Sequence, residues 1–191
     1  RLERKIMDQT SQTGSGAQLY KPCTMGELFV RAIQRGGDRI AFVLDEQSIS
    51  YREFGERVSQ LIQALKARGV KRGDRMLLML RNVPDFHWFD AAAQFLRATP
   101  VSIYNSSSPE EIQYLASHAE AEIAVLENEH FLNGMLQVRA DLPALQKIYV
   151  VHPPAGDLPD GVYPASDLLE SGQADLAALA AATEPDDLAT L

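Results

Sequence analysis

The chain is poor in several residue types, and each shortage excludes something. Among 191 residues there is one cysteine, Cys23, which rules out a disulfide framework and a cysteine-built metal site. Basic residues are in deficit, with 18 Lys and Arg against 26 Asp and Glu and a formal net charge of −8. Nucleic-acid binders need a basic face to displace counterions, so no nucleic acid is expected as a partner. No apolar run approaches the ~20 residues of a membrane-spanning helix. The start Arg1-Leu2-Glu3-Arg4-Lys5 lacks the apolar segment that a secretory leader would need. These shortages describe an acidic, soluble chain, expected to be cytoplasmic and at most peripheral to a membrane.

Apolar residues make up 46 % of the chain and charged ones 23 %, values ordinary for a globular domain with a substantial core. Residues 1–20 differ, because positions 9–18 are polar, Gly/Ser-rich and aperiodic; they read as a flexible lead-in to a domain over 21–191. Thr24-Met25-Gly26-Glu27 has capping-box spacing and opens a helix carried by Leu28, Phe29, Ala32 and Ile33. Ser50-Tyr51-Arg52-Glu53 repeats that signal before a stripe of Phe54, Val58, Leu61, Ile62 and Leu65. Between them, 40–44 and 48–51 predict a hairpin around Asp45-Glu46-Gln47.

Short apolar runs at 76–80, 100–104, 123–126 and 147–151 alternate with helix-period stretches. Runs of this kind suit strands buried on both faces. The order β-α-β-α-β-α-β predicts an α/β fold: an open, mainly parallel sheet with helices on both faces plus a small N-terminal β-hairpin. Asn82-Val83-Pro84-Asp85 is expected to cap the third helix, and an Ala-rich helix is expected over 174–182. Glu110/Glu111 and Asp186/Asp187 are expected at helix starts, where carboxylates complement the dipole. The last four residues, Leu188-Ala189-Thr190-Leu191, read as the start of a new apolar element, so the chain is expected to stop inside a larger domain. A complete small domain with a frayed tail is the alternative.

No catalytic constellation stands out. His87, His118, His130 and His152 are scattered, and none has a partner at metal-ligand spacing. The segment with chemical potential is Tyr104-Asn105-Ser106-Ser107-Ser108-Pro109-Glu110. It follows a predicted strand and opens a helix, which places it at the carboxyl edge of the sheet, where open α/β folds bind ligands. Amides and three serine hydroxyls there could hold an anionic group; otherwise Ser108 simply caps the helix.

Several segments in order resemble the N-terminal region of the AMP-forming acyl-CoA synthetases, the adenylate-forming superfamily. They are Thr24-Met25-Gly26-Glu27-Leu28, Ser50-Tyr51-Arg52-Glu53-Phe54, Gly69-Val70-Lys71-Arg72-Gly73-Asp74-Arg75 and Leu80-Arg81-Asn82-Val83-Pro84-Asp85-Phe86. Pro100-Val101-Ser102-Ile103-Tyr104 leading into Ser108-Pro109-Glu110-Glu111-Ile112 completes the set. The 104–108 stretch looks most like the long-chain fatty acyl-CoA synthetase branch. The resemblance implies a parent ligase that joins ATP and a fatty acid into an acyl-adenylate, with Mg²⁺ on the phosphates, and passes the acyl group to CoA.

It also implies that the phosphate loop, adenine motif, metal glutamate and catalytic lysine lie outside these residues. The 191 residues alone are therefore expected to be inactive, with no catalytic or metal residues of their own. Uncovered apolar surface would favour a homodimer. Tyr104, Asn105, Ser106 and Ser107 match the loop near which CoA approaches. Arg97 departs from the pattern, since the family more often has glycine there. An acyl-AMP ligase loading a carrier protein, or a non-catalytic α/β binding module, are the rival readings.

Overall fold

A computed structural model describes residues 23–169 and 172–191; the expected lead-in over 1–20 lies outside the described residues. The chain runs α1 (Met25–Gly36), β1 (Ile40–Leu44), β2 (Gln47–Ser50), α2 (Tyr51–Ala67), β3 (Arg75–Met79), α3 (Pro84–Phe95), β4 (Thr99–Ser102), α4 (Pro109–Ala119), β5 (Ile123–Asn128), α5 (Glu129–Val138), β6 (Lys147–His152), β7 (Val162–Pro164) and α6 (Leu176–Ala182). β1 and β2 form the antiparallel hairpin, turning at Asp45 with φ of 51°. The remaining strands form one sheet in the order β4-β3-β5-β6-β7, parallel throughout.

Alternation along the strands builds two cores, because successive side chains leave opposite faces of a strand. Met76, Leu78, Val125 and Tyr149 join α2 and α3 on one face. Leu77, Met79, Ala124, Leu126, Ile148 and Val150 join α4 and α5 on the other. A strand of β3's composition can only sit in such a place: all of 76–79 is buried, and both flanking faces must be apolar.

The capping boxes form as expected. Thr24 and Ser50 each accept from the amide three residues on, while Glu27 and Glu53 return to the cap amide. The third helix departs from expectation, since its N-cap is Val83, which offers no side-chain bond; Pro84 alone sets the start. β7 is an additional strand, short and paired to β6 by three residues. Its sequence, Val162-Tyr163-Pro164, lies in a turn-rich stretch too brief to show a period.

Asp186 and Asp187 do not begin a helix. Glu184–Asp187 is a turn, closed by Asp187 N–H to the Glu184 carbonyl at 3.0 Å. From Leu188 the chain runs beside β4, where the Thr99 hydroxyl donates to the Leu188 carbonyl at 3.1 Å. The Leu191 N–H donates to the Pro100 carbonyl at 3.2 Å.

Candidate functional site

The chain leaves β3 for β4 on one side and then returns to place β5 on the other side of β3. The carboxyl ends of β3 and β5 therefore flank the point where the winding reverses, and open sheets of this order bind ligands in the crevice there. Two connections and two strand ends meet along this edge: 80–83 after β3, 103–108 after β4, Asn128 at the end of β5 and His152 at the end of β6.

Arg81 and Glu127 occupy the reversal point. Glu127 follows the apolar run 123–126 within β5, and its side chain is 1 % exposed. Its carboxylate accepts from the Arg81 backbone N–H at 2.6 Å and from the Arg81 Nε at 2.7 Å; the Arg81 Nη2 pairs with the same carboxylate. Burial works to raise the Glu127 carboxyl, but the side-chain and backbone bonds from Arg81 outweigh it, and the group is held below its ordinary value. The guanidinium itself is largely exposed. A buried anion thus fastens the connection after β3 while leaving a cation on the surface of the edge.

The 103–108 connection sits beside this pair. The Ile103 N–H donates to the Leu78 carbonyl at 2.9 Å, prolonging the ladder, and the Ser107 N–H closes a turn on Tyr104 at 3.0 Å. Ser108 caps α4: its hydroxyl accepts from the Glu111 N–H at 3.3 Å, and the Glu111 carboxylate accepts from the Ser108 N–H at 2.8 Å. The cap therefore consumes Ser108, while Tyr104, Asn105 and Ser106 are exposed and Ser107 is half-buried. Asn105 and Ser107 also line a cleft of ≈ 210 Å³ that continues to His130, Asn133 and Gln137 on α5 over a floor of Met79, Ile112 and Phe131.

A second cleft, of ≈ 220 Å³, opens on the opposite face, lined by Arg57, Asp85, Trp88 and His152 with apolar neighbours. The Arg57 guanidinium stands 5.1 Å from the Trp88 ring centroid. Burial raises the Asp85 carboxyl and lowers the His87 imidazole.

All four residues expected from the sequence, Tyr104, Asn105, Ser106 and Ser107, lie on one loop of this edge. Two of them line a cleft and two face outward. Glu127, His130 and Asn133 were not legible as site residues. Glu127 carried the one available signal, an acid closing the run Ile123-Ala124-Val125-Leu126. Among the described residues no group of three or more His, Cys, Asp or Glu could hold a metal ion, and no helix is long and apolar enough to cross a membrane. The edge offers amides, hydroxyls, carboxamides and one paired cation, the equipment of a binding surface.

Sheet order and flanking helices together define a doubly wound α/β domain. Residues 29–191 match the AMP-binding enzyme family. The chain belongs to that family, the adenylate-forming enzymes, and its parallel sheet with flanking helices is their N-terminal domain architecture. It is 30 % identical over 112 residues to the uncharacterized protein Rv1549 of Mycobacterium tuberculosis, covering 58 % of this chain and 64 % of that protein. It is 30 % identical over 142 residues to an acetyl-coenzyme A synthetase of Halorhodospira halophila, covering 67 % of this chain and 22 % of that one. The rat long-chain-fatty-acid–CoA ligase ACSBG1 is 24 % identical over 156 residues, covering 80 % of this chain and 22 % of the ligase. A benzoate CoA ligase structure from Burkholderia xenovorans superposes with a TM-score of 0.71 at 20 % identity, over 86 % of this chain and 31 % of that one. The chain thus spans about a fifth of the length of the curated ligases it matches.

Proposed function

We propose that these residues belong to the large N-terminal domain of an acyl-CoA synthetase that activates a fatty acid with ATP and transfers the acyl group to CoA. The family match over 29–191 carries this reading. The fatty-acid assignment draws support from the long-chain ligases of rat and Xenopus laevis, at 24 % and 28 % identity. In the proposed enzyme the exposed loop Tyr104-Asn105-Ser106-Ser107 borders the approach of CoA. Its exposed residues Asn105 and Ser106 carry a carboxamide and a hydroxyl that suit a polar, phosphate-bearing ligand. In this reading the phosphate loop, the metal glutamate and the catalytic lysine belong to motifs that the resemblance places outside these residues. ATP, when bound, would supply the adenylyl group of the acyl-adenylate with release of pyrophosphate, and AMP would leave when CoA takes the acyl group.

Acetate is a second reading, because the acetyl-coenzyme A synthetase of Halorhodospira halophila reaches 30 % identity. The test is carboxylate-dependent ATP–pyrophosphate exchange by the full-length protein across acids of increasing chain length, followed by product analysis with CoA or acyl carrier protein as acceptor. A maximum at long acids with CoA as acceptor supports the proposal; a maximum at acetate supports the second reading. Transfer to carrier protein alone would replace it with an acyl-AMP ligase. The 191 residues by themselves are expected to give no exchange, and measurable exchange from them would refute the partial-domain reading.

A further inference from the structure

Arg97 stands in the left-handed region, with φ of 60°, a conformation that side chains bearing a Cβ adopt at a cost and glycine adopts freely. The turn it makes joins α3 to β4, and its carbonyl accepts from the Gly73 N–H at 3.0 Å. Glycine is the default residue for such a turn. An arginine placed there is explained by what its side chain reaches.

The Arg97 guanidinium is fork-bonded to Asp187, Nε to Oδ2 at 2.6 Å and Nη2 to Oδ1 at 3.1 Å. Its Nη2 also meets Glu184 at 2.9 Å. Arg72, from the connection before β3, meets both acids at 2.9 Å. The Glu184 N–H donates to the Asp187 carboxylate at 2.8 Å. Two cations and two anions are thus interlocked, and the inner pair is well covered: Arg97 is 18 % and Asp187 8 % exposed. Immediately beyond, Leu188 and Leu191 bond to Thr99 and Pro100 of β4.

We propose that Arg97 is a positioning residue, the inner half of a two-arginine clasp that holds residues 184–191 in register against the outer edge of β4. The clasp is rigid for geometric reasons. Planar fork bonding fixes the angle of Asp187 as well as its distance. The strained backbone sets the direction in which the guanidinium leaves the turn. Lysine could supply the charge but not the fork. For the enzyme, the inference rests on the acyl-CoA synthetase reading above, in which the segment held by the clasp leads toward the phosphate-handling part of the site.

The experiment is amide hydrogen exchange on the full-length protein, read at Glu184, Asp187 and Leu191, with Leu77 and Leu78 of β3 as internal standards. In Arg97→Gly the three reporters are expected to exchange at least 10-fold faster while the standards are unchanged; Arg97→Lys is expected to recover only part of the protection. Asp187→Asn removes the opposite half and is expected to reproduce the loss, which covers the case in which an Arg97 variant fails to fold. Unchanged protection in Arg97→Gly, or full protection in Arg97→Lys, overturns the clasp. In the full-length ligase, Arg97→Gly is expected to raise the KM for ATP several-fold with a smaller change in KM for the acid. Lost protection with an unaltered ATP KM would confine the clasp to a structural role and overturn the positioning claim. If the wild-type protein shows no acid-dependent exchange with pyrophosphate, the ligase reading fails while the amide result stands.

Discussion

Glu127→Gln tests the construction of the sheet edge directly. Gln keeps the shape and one acceptor for the Arg81 N–H, and removes the charge. Two effects oppose each other: the variant escapes the cost of burying an anion, and it loses the charge-assisted bonds to Arg81. The downward displacement of the Glu127 carboxyl decides between them. Burial raises it, the bonds lower it, and the bonds prevail, so the ionised form stabilises the fold. Three bonds converge on the carboxylate, two of them from a guanidinium open to solvent and therefore screened. The expected loss for Glu127→Gln is about 1–2 kcal/mol at pH 7, or a drop in Tm of about 2–8 °C for a domain of this size.

The pH dependence follows from the sign. A carboxyl lowered on folding contributes fully above its unfolded pKa of about 4.3 and loses that contribution as pH falls through the lower folded value. Urea unfolding should show a constant gap between wild type and Glu127→Gln from pH 6 to 8, narrowing below about pH 4 as the wild-type carboxyl takes up its proton. No gap at pH 7, or a gap that persists undiminished in acid, would refute the reasoning.

Asp90 predicts the opposite slope. Burial chiefly, partly countered by its bond with Gln94, raises it from 3.8 to about 6, so the fold loses stability as pH rises between those values. Asp90→Asn should gain about 1–2 kcal/mol at pH 7.5, discounted for partial exposure, and nothing near pH 4, by urea unfolding at both. Ser108→Ala removes the α4 cap and should cost about 1 kcal/mol, with faster amide exchange at Glu111. Gly36→Ala places a methyl inside contact distance of the Tyr51 ring and should cost about 1–3 kcal/mol. The Gly36→Ala/Tyr51→Ala pair should be non-additive in a double-mutant cycle, since the smaller side chain removes the clash.

The sheet and its helices were readable because their signals are local. Runs such as 76–80 are too apolar for any exposed position, and the cap spacings at Thr24, Ser50 and Ser108 report helix starts within four residues. The position of the 104–108 loop at the carboxyl edge followed from strand order alone. What escaped depended on distant partners. Asp187 looks like a helix-start acid until Arg97, 90 positions earlier, claims it. Glu127 looks like a strand-end charge until Arg81, 46 positions earlier, covers it. β7 is held by its neighbour β6, and three residues cannot display a period.

The helix that opens the described chain rests on the helix near its close. Gly26 of α1 lies so near Ala180 of α6 that a Cβ there would stand 3.2 Å from the Ala180 Cα, and α1 buries only its two glycines completely. On the ribosome, the apolar face of α1 can settle on α2 and then α3, with Phe29 against Phe54 and Phe95, but its glycine side must wait for more than 140 further residues before α6 exists. Contacts of such long sequence separation slow folding and leave early segments exposed. Closure of α6 over α1 is accordingly expected to be a late event, with the parallel sheet already in place.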